Sequence, residues 1–206
     1  MDFEGAKAFI IEKLRLELNP GFTYHSLDHT LDVYAAAATL ARLEGIDAGE
    51  TSLIEIAALF HDSGMLNTYA DHEAASVGLV TCFLPSYGFS GRDIDFINGM
   101  IMATKLPQAP TTKAARVLCD ADLDYLGRDD FFLHSMALQY EWKRFGILDT
   151  TLTGWLEIQI RFLSEHRYFT STAISMRNKK KSENLNEIVS LWQQKNQQNP
   201  GSTTLS

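Results

Sequence analysis

An all-α fold is what this sequence predicts, and three observations carry the prediction. Apolar residues recur at three- and four-residue spacing almost everywhere. No window shows strand-like alternation bounded by hairpin turns. The five prolines fall between the helical segments rather than inside them. With 206 residues, 45% of them hydrophobic and 21% charged, the chain can bury a core without disulfide or metal staples. The expectation is one compact helical domain over residues 1–192, of about eight or nine helices, with one core and no internal repeat.

Each element has its own signal. Phe3, Ala6, Phe9, Ile10, Leu14 and Leu18 form a first stripe, closed by Pro20. Leu31, Val33, Tyr34 and Ala37 to Leu40 form a second, stopped by Gly45. Ser52 with Glu55 is a capping-box pattern opening Leu53 to Phe60. Asp71 is placed to cap a helix through Val77, Leu79, Val80 and Leu84, and Ser90 with Asp93 opens Ile94, Ile97, Ile101 and Met102. Further helices are expected over about Lys113–Leu126, Asp130–Phe145 and Leu152–His166, with the last starting near Thr170. The three lysines within Asn178–Ser182 read as a solvated helix face. From Gln193 to Ser206 the chain is Gln/Asn-rich and then Pro-Gly-Ser-Thr-Thr. It holds too little apolar surface to offset its entropy, so a frayed tail is expected.

Charge and cysteine usage exclude several function classes. Eighteen Lys and Arg against 26 Asp and Glu leave a formal charge of −8. Binding to duplex nucleic acid or a membrane surface runs on basic patches and counterion release, so neither partner is expected. The N-terminus has no basic segment followed by an apolar one, and no stretch reaches the roughly 20 apolar residues of a membrane span. A reducing cytoplasm is the expected location, with Cys82 and Cys119 as free, buried thiols. The sequence leaves the oligomeric state open, a homodimer included.

Three segments hold residues that a core would not choose. Tyr24-His25-Ser26-Leu27-Asp28-His29 places two histidines four apart, on one face of any helix that includes both. Ala57-Ala58-Leu59-Phe60-His61-Asp62 ends an apolar helix in two adjacent metal-ligand types. Val117-Leu118-Cys119-Asp120-Ala121-Asp122-Leu123 embeds two carboxylates in an apolar helix. Buried carboxylates and imidazoles are costly unless paired or metal-bound, and sharing one cation offsets that cost for all three segments. Two His and two Asp suit Mn, Fe, Ni, Co or Zn better than Ca.

The order His … His-Asp … Asp on helices resembles the HD-domain superfamily of metal-dependent phosphohydrolases, over roughly Tyr24 to Phe169. The resemblance implies one divalent ion (Mn, Fe, Ni, Co, Zn or Mg) held by His29, His61, Asp62 and Asp122, with Asp120 the alternative to Asp122. Tyr24 to His29 is similar to a segment of class I cyclic-nucleotide phosphodiesterases in which the first His is the proton donor. This maps His25 to the acid, while that family's Asn is Ser26 here. Asp71-His72-Glu73-Ala74-Ala75-Ser76-Val77 is similar to a dNTP triphosphohydrolase segment, which makes His72 the competing catalytic histidine. Asp62 doubles as ligand and proton acceptor. Ile101-Met102-Ala103-Thr104 resembles a Leu-Ala-Thr-Asp stretch with Lys105 in place of the Asp, and Lys105 is a candidate phosphate clamp. Gln159 and Phe162 resemble the base-holding pair of the cyclic-nucleotide enzymes, and Arg161 and Arg167 are further phosphate candidates beside a structural reading. Tyr140, Trp142 and Trp155 read as core or interface aromatics, and His134 and His166 as structural.

The implied function is hydrolysis of a small phosphorylated metabolite, a nucleotide for preference, by metal-activated water. The alternative is an HD fold kept as a regulatory or nucleotide-binding module. Two-metal members of the superfamily, including an iron oxygenase, carry two further histidines between the HD pair and the last Asp. Only His72 stands in that interval here.

Overall fold

The computed structural model describes residues 1–198. Among them it holds nine α-helices and no strand: α1 (Phe3–Glu17), α2 (Leu27–Leu43), α3 (Ala48–Phe60), α4 (His72–Phe83), α5 (Gly91–Thr104), α6 (Lys113–Asp122), α7 (Phe131–Arg144), α8 (Leu152–Glu165) and α9 (Ser171–Gln198). Short 3₁₀ turns follow α3 (Ser63–Leu66), α4 (Leu84–Tyr87) and α6 (Asp124–Gly127).

Local chemistry explains most boundaries. Ser90 and Asp93 form the expected capping box at the head of α5. Helix α3 starts earlier than Ser52: Asp47 caps it, accepting from the N–H groups of Gly49 and Glu50 at 2.9 and 3.1 Å, while Ser52 back-bonds to Ala48 inside the helix. Asp71 does not cap α4 with its side chain; it sits at φ 53° and its carboxylate turns to Lys105. Helix α6 ends at Asp122 rather than at Leu126, because the carbonyls released there are taken from outside the helix. Tyr168 donates to the Leu123 oxygen at 3.2 Å and Asn184 to the Leu126 oxygen at 3.0 Å. Residues 193–198, expected to fray, continue α9; the remainder of that expected tail, 199–206, lies outside the described residues.

The buried apolar side chains fall into two clusters where one was expected. The larger is built by α1 to α6 and closed by Tyr168 and Ala173. The smaller joins Tyr24, Leu123, Tyr125 and Leu126 to residues of α7, α8 and α9. Helix α3 is the axis of the first, packed by α1, α2, α5 and α6, and Ile54 and Ile56 to Phe60 are all at most 2% exposed. The last five residues of α3, Ile56 to Phe60, are apolar on every side, which suits only the interior. Its C-terminal end therefore delivers the next two residues, His61 and Asp62, to the centre of the protein. The seam between the two clusters runs past this point, since Tyr24 and Leu123 of the second adjoin His25 and Asp122 in sequence.

Two expectations about exposure fail. Cys82 is exposed, on the outer side of α4. Lys181 is 7% exposed, not solvated; its Nζ donates to the His166 carbonyl at 2.6 Å and lies over the Tyr168 ring.

Candidate metal centre

Three helix ends converge on one point. Ser26 caps α2 and accepts from the His29 N–H at 3.3 Å, which sets His29 in the first turn. His25 precedes the cap, so the two histidines do not share a helical face, although their rings still lie 6.5 Å apart. His61 and Asp62 leave the buried end of α3. That turn is bolted by Ser76 of α4, which donates to the His61 carbonyl at 2.7 Å and accepts from the Gly64 N–H at 2.8 Å. Gly64 has no room for a side chain: a Cβ there would stand 1.9 Å from the His72 carbonyl. Asp122 is the last residue of α6.

The four groups form an alternating quadrilateral. His29 Nε2 is 3.5 Å from Asp62 Oδ2 and 3.4 Å from Asp122 Oδ1; His61 Nε2 is 3.1 and 3.5 Å from the same two atoms. The nitrogens occupy two opposite corners and the carboxylate oxygens the other two. The His61 Nδ1–H donates to the Ala58 carbonyl at 2.7 Å, so in the neutral ring Nε2 is a lone pair facing carboxylate oxygens. Neither His29 Nε2 nor His61 Nε2, both buried, has a hydrogen-bond partner. Acceptors turned toward one another in the interior are costly without something positive between them. Octahedral coordination with bonds of about 2.1–2.2 Å has adjacent ligands about 3.1 Å apart, which these edges approach. The ligand-type atoms of His29, His61 and Asp122 lie within 4.8 Å of one another. The residues therefore fit one divalent transition-type ion.

Electrostatics points the same way. Burial opposes charge on His61, yet Asp62 and Asp122 hold its imidazole well above the usual range. Burial would raise both carboxyls, but the facing histidines hold Asp62 well below the usual range and Asp122 at about 2. Without an ion, the carboxylates and the His61 imidazole thus compensate one another through a shared proton.

Asp120 stands elsewhere. It is fully buried and accepts from the N–H groups of Phe169 and Thr170, both at 2.8 Å, and from the Thr170 hydroxyl at 2.6 Å. It anchors the entry to α9.

The quadrilateral opens into a cavity of about 230 Å³, lined on its polar side by Asp62, Asp122, His25, His72 and Glu73. His25 is held by Glu141 of α7, a residue with no distinguishing mark in the sequence. Its Nδ1 lies 2.5 Å from Glu141 Oε1, and Glu141 Oε2 accepts from the N–H groups of Tyr24 and His25 at 2.8 and 3.0 Å. Tyr69 donates to the same carboxylate at 2.9 Å. Burial would push the Glu141 carboxyl up; His25 and these donors hold it below the usual range. His72 donates through Nδ1 to the Tyr69 carbonyl at 3.0 Å, and its Nε2 is 3.3 Å from Asp62 Oδ1. Burial works against its charge, but Asp62 raises its imidazole to about 9.

Gln159 and Phe162 of α8 line the cavity wall with Trp142, which belongs to the site rather than to the core. Gln159 is 4% exposed and its Oε1 has no partner. Lys105 does not line this cavity; it is exposed and paired with Asp71, because the chain turns outward at the end of α5. Arg161 and Arg167 line an adjoining chamber. Of the aromatics read as core or interface, Trp155 is buried and donates to Ser135 at 3.0 Å, while Tyr140 is 55% exposed. Gln108 is a second residue that the sequence does not mark: its Nε2 donates to the Cys119 carbonyl at 3.1 Å and to Asp122 Oδ2 at 3.3 Å, bracing the corner of the quadrilateral.

At the level of sequence, no family model and no curated protein matches the chain. Solved structures do. A predicted HD superfamily hydrolase from an uncultured Thermotogales bacterium is similar at 19% identity over 93% of this chain and 89% of its own, with a TM-score of 0.59. A Lactobacillus plantarum protein is similar at 18% identity over 94% of this chain and 97% of its own, with a TM-score of 0.65. Likeness at this identity speaks for architecture, and the chain has the all-α HD-domain fold.

Proposed function

We propose that the protein is a metal-dependent phosphohydrolase or phosphodiesterase acting on a small phosphorylated metabolite, with nucleotides the preferred class. One observation carries the reading: a quadrilateral of two imidazole nitrogens and two carboxylate oxygens opens into the same cavity as a histidine braced by a buried glutamate. His29, His61, Asp62 and Asp122 would hold one divalent ion, Mn, Fe, Ni, Co, Zn or Mg. Such an ion, when bound, activates water and neutralises phosphate charge.

The chain's own groups supply the rest. Glu141 fixes the His25 proton at Nδ1 and leaves Nε2 as the atom that gives or takes a proton. His25 is therefore the general acid for the leaving oxygen. His72 directs its Nε2 at Asp62 Oδ1, so its proton is engaged in orienting the residue best placed to accept one from water. Gln159 offers an amide acceptor and donor in an otherwise apolar stretch of wall beside Phe162, which suits the edge and face of a nucleobase.

The test is metal analysis of the purified protein, then a screen of phosphate esters with each of the six ions. His25→Ala should lower turnover of esters with poor leaving groups about 10²- to 10⁴-fold. It should affect a nitrophenyl phosphate far less, since that leaving group needs no proton, and it should leave metal content intact. If His72→Ala shows the leaving-group dependence and His25→Ala does not, the acid is His72. Failure of every ester with every ion sinks the hydrolase reading in favour of a binding or regulatory module.

A further inference from the structure

Beyond the inner cavity, and sharing its wall at Trp142, Ile158 and Phe162, lies a larger outer chamber of about 600 Å³. Its lining carries Arg161, His166 and Arg167, with Glu165 its one carboxylate. In a chain with formal charge −8, positive groups readily find acidic partners: Arg128 pairs with Asp32 and Arg177 with Asp124. Around this chamber they do not. Among the described residues, Arg161 makes no ion pair and no hydrogen bond to another side chain or carbonyl. Arg167 caps the C-terminal carbonyls of α8, donating to Ser164 and to His166, and meets no carboxylate.

Behind them lies Lys181, buried and likewise without a carboxylate. Its ammonium is 3.3 Å from His166 Nδ1. An ammonium has only donors to offer, so Nδ1 is the acceptor and the imidazole proton sits on Nε2. That buried N–H has no hydrogen-bond partner. Burial, with Lys181 and Arg167 nearby, pushes His166 down to about 3, so the ring stays neutral. Arg161 and Arg167 stand exposed on the chamber wall with Glu165 as its one carboxylate; behind them the buried Lys181 and the unmet His166 donor are costly unless something negative compensates them.

We propose that the outer chamber is an anion subsite, which binds a second anionic group of the substrate through Arg161 and Arg167. The substrate class is then a phosphate ester with a further phosphate or carboxylate beyond an apolar or planar body that lies against Trp142 and Phe162. The ester half of this statement rests on the proposed hydrolase function; the anion subsite does not.

Two measurements separate them. The first uses metal-free protein and inorganic phosphate as the probe in a calorimetric titration at low salt. The wild type should bind phosphate, and Arg161→Gln should weaken binding about 10-fold or more, the range expected for a hydrogen bond to a charged group. Arg161 is exposed and without a partner, so this variant keeps the fold. No binding by the wild type, or equal binding by both, overturns the subsite. The second compares benzene-1,4-diyl bisphosphate, whose second phosphate lies across a planar ring, with phenyl monophosphate as substrates of the metal-loaded protein. Arg161→Gln should raise KM for the bisphosphate about 10-fold while leaving kcat and the monophosphate unchanged. An equal rise for both compounds places Arg161 on the shared phosphate and overturns the second-anion assignment. If neither is hydrolysed, the hydrolase reading suffers and the phosphate titration still decides the subsite.

Discussion

Asp120 and Asp122 stand two residues apart at the end of α6, and their surroundings differ in kind. Asp120 meets three donors of the protein itself, two backbone N–H groups and a hydroxyl, at 2.6–2.8 Å. Asp122 faces two imidazole nitrogens that are themselves acceptors when neutral, and only Gln108 gives it a conventional hydrogen bond. Burial outweighs the donors around Asp120 and lifts its carboxyl above the usual range, whereas the histidines hold Asp122 at about 2. The same contrast recurs across the molecule. Asp124 is buried too, but Arg177 grips both its oxygens at 2.6 and 2.9 Å. A buried polar group that finds its complement inside the chain is part of the scaffold. One that faces its own kind marks the place of something the chain does not supply.

The sharpest way to break this contrast is to remove each carboxylate in turn. Asp120→Ala leaves three donors unmet, two of them buried, and donors on the backbone cannot shed their protons. Metal-free stability, measured by urea unfolding, should fall on the order of 3 kcal/mol or more. Asp122→Ala should cost clearly less in the same metal-free protein, because it leaves no backbone donor unmet: the imidazole nitrogens facing Asp122 are acceptors in the neutral rings. An equal loss in both variants would remove the distinction.

The next effect is the gain from an added ion. At a free concentration about 100 times its Kd, a divalent ion should stabilise the wild type by about 2.7 kcal/mol. Asp120→Ala should keep that gain from its lower baseline, and His61→Ala and Asp122→Ala should lose it. A metal-dependent rise in Tm that survives Asp122→Ala would place the ion elsewhere. Smaller again is the effect of Gln108→Leu, which frees Asp122 Oδ2 without touching a ligand atom. Loss of such an outer support lowers metal affinity about 10-fold, readable by competition with a chelating dye.

These residues also show where the sequence is legible. Helical periodicity and the Ser90–Asp93 box speak through neighbours in the chain, and both survive in the structure. His61-Asp62 stands out because a solidly apolar helix ends in it. Asp120 and Asp122 carry equal signals in helical pattern, and only the resemblance of the flanking sequence favours Asp122; what physically separates them crosses from the start of α9 and from α2. Glu141 sends no signal, being one charged residue in an amphipathic helix 116 positions from the histidine it braces. Lys105 and Lys181 mislead in opposite directions: chain direction after α5 carries the first away from the cavity, and the fold of α9 over His166 buries the second. Spacing identifies the ligand types, while the supporting contacts exist only once distant helices meet.

Glu141 gives the smallest effect, and one with a definite sign. It is fully buried, accepts from Tyr24, His25 and Tyr69, and its carboxyl is held below the ordinary value. A carboxylate with a depressed folded-state pKa binds fewer protons folded than unfolded as pH drops through that range. Its stabilisation is complete above the unfolded value of about 4.3 and fades as pH falls toward the folded one. Glu141→Gln keeps the shape and removes the titration. Wild type should therefore be the more stable at pH 7, and the gap should narrow steadily as unfolding is repeated at pH values of about 5, 4 and 3.5. A gap that widens on acidification would mean that burial, not the donors, governs this carboxyl. Glu141 would then stand with the groups the chain leaves unmet, rather than with Asp124 and the scaffold.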